Sequence, residues 1–192
     1  MGILTISGLL AAIGGAIAVI YNRLVALRQN HENAYADIDV QLQQRFDLIP
    51  NLVETVKGYA AHEKEVFAEV TKMRAGVSEA STKEERLQAE KALGKAMINV
   101  MAVAENYPEL KADQNFQKLM AELADIENKL AAARRFFNNA TSELNTAIEQ
   151  FPANLLASRF GFEKGEFYEV DEAERKAMEQ VPNIDFGTGK AA

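Results

Sequence analysis

Residues 45–56, RFDLIPNLVETV, set an arginine and a proline into an apolar helical stripe. The stripe begins at Leu24 and advances by alternating steps of three and four. It runs through Leu24, Leu27, His31, Ala34, Ile38, Leu42, Arg45, Ile49, Leu52, Val56, Tyr59, Glu63, Val66, Val70 and Met73. Spacing sustained over this length predicts a long helix packed side by side with others in a bundle or coiled-coil manner. Pro50 stands beside Ile49, just off the stripe. It removes one backbone donor and crowds the carbonyl four residues back, so a kink or a break is expected there. Because the phase resumes beyond it, a kinked but continuous rod is the reading favoured over a loop.

A second stripe has no polar interruption: Phe116, Leu119, Leu123, Ile126, Leu130, Ala133, Phe137, Ala140, Leu144, Ala147 and Phe151. Pro152 comes immediately after it, where such a helix should stop or turn. Between the two rods lies a shorter helix with Leu87, Leu93, Met97, Val100, Met101 and Ala104 as its apolar face. Ser81 with Glu84 and Thr82 with Glu85 have capping-box spacing at its start, and Pro108 marks the turn after it. These patterns predict an all-α fold: an N-terminal transmembrane helix continuing into an antiparallel long-helix bundle, with three main helices, the first kinked at Pro50, and a short irregular C-terminal tail.

The chain of 192 residues is two-toned. No charged side chain precedes Arg23, so the net charge of -7 belongs entirely to residues 23–192. Residues 3–20 form an uncharged, mostly apolar run, about 27 Å long as a helix, close to the roughly 30 Å of a bilayer core. Leu24 to Leu27 can extend it. A cleaved secretory signal would need a basic segment ahead of the apolar run, and none is present. Arg23 and Arg28 stand after the run instead, which places the body on the cytoplasmic side and the N-terminus outside. Small residues four apart, Ser7, Ala11 and Gly15 on one line and Gly8, Ala12 and Ala16 on the next, allow close helix approach within the membrane. The division expected is a transmembrane anchor over 1–27, a cytoplasmic helical bundle over 28–157 and an acidic, partly mobile tail over 158–192. Within that tail Phe160, Phe162, Phe167 and Tyr168 can dock on the bundle.

Little in the sequence points to chemistry. An acidic body without a basic stripe argues against nucleic-acid partners. The absence of cysteine removes disulfides, thiolate metal sites and thiol nucleophiles. Carboxylate-bridged metal bundles need a Glu three residues before each His, yet Arg28 and Tyr59 hold those places before His31 and His62. His62 with Glu65 or Glu69 reads as a surface cluster. No phosphate loop or catalytic triad is recognisable, so neither an enzyme nor a cofactor is expected. His31, Arg45 and Glu63 stand at core-phase positions. They either set register or partner choice, or lie at the edge of the stripe where Arg45 extends its head to water. Asp47, Asn51 and Glu54 offer Arg45 acceptors nearby.

RFDLIPNLVETVKGYAAHEKEVF (45–67), YPELKADQNFQKLMAELADIENKLAAARRFFN (107–138) and FPANLLASRFGF (151–162) together resemble the LemA family. The resemblance implies a bacterial inner-membrane, single-pass protein with its N-terminus outside and an all-helical body inside, and it implies no reaction. Arg45, Asp47, Pro50, Asn51, Glu127, Arg134, Arg135 and Asn138 fall on the family pattern as candidates for a shared surface or a buried polar network. The function expected is a membrane-anchored scaffold that contacts lipid through its N-terminal helix, forms a homo-oligomer, and organises or shapes membrane or a membrane complex without catalysis. The alternative is a monomeric adaptor for an unidentified partner protein in envelope stress or signalling.

Overall fold

The computed structural model describes residues 2–168, with the side chains of Ile3, Lys83 and Glu84 excepted. Six helices, and no strand, are found among the described residues. The helix α1 (Gly2–Tyr59) is a single rod of 58 residues that passes through Pro50 without a break. After it come α2 (Lys64–Glu79), α3 (Lys83–Glu105), α4 (Pro108–Ala112), α5 (Gln114–Glu149) and α6 (Ala153–Ala157).

The antiparallel partner of α1 is α5. The register is fixed at one end by Tyr59, whose hydroxyl donates to Asp113 at 3.0 Å. At the other end Leu24 packs with Ala147. Asp113 caps α5 by accepting from the backbone N–H of Asn115 and Phe116, both at 2.8 Å. These bonds, the Phe116 amide first, hold its carboxyl below the usual aspartate range. The stabilisation this represents is complete above the ordinary carboxylate range and is lost as the pH falls through the depressed value.

The first rod ends earlier than its stripe does. The stripe predicts helix to Met73, yet the chain breaks at 60–63 and α2 doubles back along α1. Lys57 lies over the Phe67 ring at 5.8 Å and Arg74 over the Phe46 ring at 4.2 Å. The cause is tertiary. The partner helix α5 begins level with Tyr59, so a straight continuation would leave Phe67 and Val70 in water. Folding back buries both, with Ala60 at the corner. Glu63 becomes the residue before α2 rather than a core position, and Tyr59 is exposed. The bundle therefore has four substantial helices, not three. The third of these, α3, opens with a capping box in which the Thr82 side chain and Glu85 pair reciprocally, and its buried face carries Leu93, Met97, Val100 and Ala104.

Three apolar clusters succeed one another along α1. The distal one joins Ile49, Leu52, Val53 and Val56 to α2, α3 and the start of α5. The middle one sets Ala34, Ile38 and Leu42 against Leu130, Phe137 and Ala140 of α5. The proximal one packs Leu24 with Ala147, Ala157 and Phe162. Leu24 and Leu27 are thus engaged by the bundle and do not lengthen the apolar span. Ahead of them, α1 presents an uncharged stretch that is long and apolar enough to cross a membrane and is not buried by the fold, touching it only at its end, where Ile20 packs on the proximal cluster and Tyr21 meets the rings of Phe160 and Phe162. The second stripe faces the bundle as its pattern predicts as far as Ala147, with Leu119 and Ala133 half-buried and its other members buried. Phe151 lies beyond the end of α5 and is exposed, because the chain turns at Pro152 into α6.

Phe137 is the test of this register, since it is buried against His31 and Tyr35, with ring centroids at 4.6 and 5.7 Å. Phe137→Ala is expected to cost about 3–5 kcal/mol, read as a lower midpoint of urea unfolding with an unchanged slope. An unshifted midpoint would place Phe137 outside the core.

Candidate functional site: a buried ion triad and an asparagine clasp

Arg45 is buried, with only 7% of its surface exposed. Its Nη2 meets Glu90 Oε2 of α3 at 2.6 Å, and its Nη1 meets Glu127 Oε1 of α5 at 3.1 Å. Nη2 also donates to the Glu90 backbone carbonyl at 3.4 Å. The head therefore does not reach water, and Asp47, Asn51 and Glu54 are not its partners: all three are exposed on other faces of α1. The reason is register. Steps of three and four carry Arg45 inward between Leu42 and Ile49, whereas Asp47 and Asn51 fall outside the stripe. Asp47 accepts from Gln43 at 2.9 Å, and the Asn51 carbonyl accepts from Thr55 at 2.8 Å.

The electrostatics of the triad are set by two opposed effects. Burial pulls the Arg45 guanidinium down, but the charges and hydrogen bonds of Glu127 and Glu90 outweigh it and hold the group above its ordinary value. Glu90 is buried at 3% exposure, whereas Glu127 is half open to solvent. One carboxylate thus shares the dry interior with the guanidinium and the other sits at its edge. The triad ties α1, α3 and α5 together at the level where the distal cluster gives way to the middle one.

A second polar arrangement occupies the proximal half. After α6 the chain runs from Phe162 to Tyr168 without helix or strand, lying against α1 and α5. Asn145 of α5 donates to the Gly165 carbonyl at 3.0 Å and accepts from the Gly165 N–H at 2.8 Å. Asn138 does the same to Tyr168, at 3.2 and 2.8 Å. The spacing is dictated by geometry: seven helical residues rise about 10.5 Å and three extended residues span about 10 Å, so two asparagines one heptad apart meet every third residue of the segment. A carboxamide offers a donor and an acceptor side by side, which is what one residue of extended backbone needs.

Side-chain packing completes the clasp. The Arg134 guanidinium lies 5.0 Å from the Tyr168 ring centroid. Burial pushes the Tyr168 phenol up, against the opposing pull of Arg134. Gly165 is required by close approach, since a Cβ there would come within 2.8 Å of His31 Nε2. Of the aromatic residues expected to dock, Phe162 is buried and Tyr168 is held by the clasp, whereas Phe167 is exposed. The acidic stretch after Glu169 lies outside the described residues.

The candidates named from sequence therefore divide. Arg45 with Glu127, and Asn138 with Arg134, are brought together in two neighbouring networks. Asp47, Asn51 and Arg135 are exposed, and Pro50 lies inside α1 without a polar role. Ser7, Gly8, Ala11, Ala12, Gly15 and Ala16 are exposed along the apolar span, and a Cβ added at Gly8 or Gly15 would meet nothing. Sequence reasoning missed Glu90, Asn145 and Gly165. Glu90 was hidden among the other charges of its helix, but Asn145 stands one heptad after Asn138, a spacing visible in the sequence. His62 is exposed in the turn before α2, and no three metal-ligating side chains converge among the described residues.

Two measurements probe these networks. Arg45→Met alone is expected to cost about 3–5 kcal/mol by stranding Glu90, whereas Arg45→Met with Glu90→Leu should be near neutral or stabilising. Equal losses in the single and double variants would show that the ion pair itself is indispensable. Asn138→Ala should leave the helices intact while the Tyr168 amide loses its protection from hydrogen exchange, with Gly165 affected less. Unchanged exchange at Tyr168 would show that the clasp does not hold the segment.

Comparison with known proteins places this architecture. Magnetosome protein MamQ 2 of Paramagnetospirillum magneticum is 26% identical over 175 residues, a match covering 78% of this chain and 64% of that protein. Magnetosome protein MamQ of Magnetospirillum gryphiswaldense is 26% identical over 174 residues, covering 77% of this chain and 64% of the relative. The chain thus spans a little under two thirds of the length of these relatives. Protein LemA of Metamycoplasma hominis is 22% identical over 157 residues, covering 80% of this chain and 71% of its own. The model of the LemA family matches residues 34–186, a stretch that takes in Arg45, Glu90, Glu127 and both clasp asparagines. The chain belongs to the LemA family.

Proposed function

We propose that this protein is a membrane-anchored helical scaffold that self-associates and organises membrane, or a complex within it, without catalysing a reaction. The observation that carries the reading is the continuity of α1. One helix of 58 residues, about 87 Å at 1.5 Å per residue, contains both the apolar span and the rod on which the bundle is built. No flexible linker separates them, so the attitude of the span in the bilayer is passed directly to the bundle. Copies associating through their spans would hold their bundles at defined angles.

The span supports association in a second way. Its small-residue lines, Ser7, Ala11, Gly15 and Gly8, Ala12, Ala16, are exposed, with only the Ser7 hydroxyl bonded within α1 to the Leu4 carbonyl, and permit close approach of a second helix. Asp47, Asn51 and Arg135 are the exposed family-pattern residues left for lateral contact between bundles or with another protein. Arg23 and Arg28 support a body on the cytoplasmic side of a bacterial inner membrane. Two of the relatives carry the name magnetosome protein, which suits a role tied to a particular assembly more than a soluble activity.

Single-particle imaging of the full chain in mild detergent tests the proposal. The expected result is a defined multi-copy particle, reduced in size by Gly8→Leu with Gly15→Leu, substitutions that meet nothing inside the fold. Monomers of the unsubstituted chain at all usable concentrations would overturn it in favour of a monomeric adaptor that binds a partner protein.

A further inference from the structure

We propose that the corner between α5 and α6 is a second membrane-contacting element, an apolar collar seated in the lipid interface around the exit of α1. The inference rests on the reading that the apolar part of α1 is in a bilayer. Among the described residues beyond the span, large exposed apolar side chains gather here. Phe151 is 80% exposed, Leu155 66% and Phe160 44%. These three fall within ten residues of sequence, on a turn whose other face, Ala153 and Ala157, packs on Ile20, Leu24 and Leu27 of α1.

The height of the corner is fixed by contact. The Phe160 ring lies edge-on to Tyr21, with centroids 5.1 Å apart, and Phe162 lies 5.7 Å from the same ring. A separation of that size is about one helical turn, so the collar stands at the level where the uncharged run ends and Arg23 begins. When residues 4–20 occupy hydrocarbon, Tyr21 and Phe160 fall in the boundary zone that aromatic rings favour. Phe151 and Leu155 then have acyl chains and glycerol to pack on instead of water, as the apolar face of an interfacial helix does. Arg23 and Arg159, both exposed, flank this level and can extend toward lipid phosphates.

A bilayer is favoured over a protein partner by continuity. The collar adjoins a span that would itself be surrounded by lipid, whereas the equally exposed Ile98 stands on α3, in the distal half of the bundle, away from any such surface. The collar would act as a stop. It prevents α1 from sliding deeper and seats every copy at one height, a condition for ordered lateral packing.

The chain contains no tryptophan, so a single introduced one reports its own depth. The full chain carrying Leu155→Trp, Ile98→Trp or Leu10→Trp is reconstituted into phosphatidylcholine vesicles whose acyl chains are brominated either near the headgroup or near the terminus. The expected result for Leu155→Trp is fluorescence quenched at least about twofold more by the shallow bromines than by the deep ones, as for an interfacial side chain. Ile98→Trp should not be quenched, and Leu10→Trp should be quenched by the deep bromines. Quenching of Leu10→Trp without quenching of Leu155→Trp overturns the collar alone. Equal quenching of Leu155→Trp and Ile98→Trp also overturns it, because the contact would not be confined to the corner. An unquenched Leu10→Trp overturns the anchored reading on which the collar depends.

Discussion

A buried guanidinium is tolerable only where its partners are held in place, and here that requirement governs the register of the bundle. Arg45 stands between Leu42 and Ile49, and the stripe positions from Ala34 to Val56 on either side of it are apolar and buried. Sliding α3 or α5 along α1 by one turn would strand Arg45, Glu90 or both in a dry interior, at a cost several times that of an apolar mismatch. Apolar side chains alone discriminate poorly between neighbouring registers, because one leucine can replace another. The triad supplies that discrimination at the one level where α1, α3 and α5 must agree.

The same level divides two kinds of packing. Distal to Arg45 the rod is enclosed by helices, since α2 and α3 form a hairpin against it. Proximal to Arg45, α3 reaches only as far as Arg86 beside Asp39, and α5 is the one long helix that continues to the short α6; two long helices cannot bury each other's stripes alone. The segment from Phe162 to Tyr168 fills the groove that remains. A non-helical segment beside helices has no ladder partner, and its backbone groups would be costly to leave unmet. Asn138 and Asn145 act as an artificial strand edge that meets them in pairs. The clasp is therefore what allows the proximal bundle to be thin, and a thin proximal bundle leaves space around the rod where it meets the apolar span.

Most of the architecture was legible in the sequence because long apolar stripes have only one economical explanation. The Thr82–Glu85 box and the stop at Pro152 were equally local and equally readable. The failures came where tertiary context overrides a continuing pattern. The first stripe keeps its phase through residues 60–63, so periodicity could not reveal that α1 stops there; the position of the far end of α5 decides it. Phe151 fits the second stripe by spacing, but lies beyond its last helical turn. For Arg45 the sequence offered near carboxylates at 47 and 54, while the actual partners stand 45 and 82 residues away. Proximity in sequence is a poor guide to ion pairing on a helix, where neighbours two and nine apart point elsewhere.

The polar residues of the family pattern now separate by their physical roles. Arg45 and Glu127 set the register, and Arg134 and Asn138 hold the segment from Phe162 to Tyr168, so their side chains are committed within the chain. A residue already engaged in this way can meet a partner only by giving up a contact that stabilises the fold. Asp47, Asn51 and Arg135 carry no such commitment to the core, being exposed on α1 and α5. The apolar span, and Phe151 and Leu155 at the corner, are uncommitted in the opposite sense, leaving most of their apolar surface exposed. A molecule that uses its buried polar groups to fix one rigid shape, and leaves its unmatched surface at one end, suits the membrane-anchored scaffold proposed above. On that proposal, surface of that kind at the root of a rigid rod would give each copy a fixed depth and a fixed axis, the two quantities a repeating assembly needs before any contact between bundles is made.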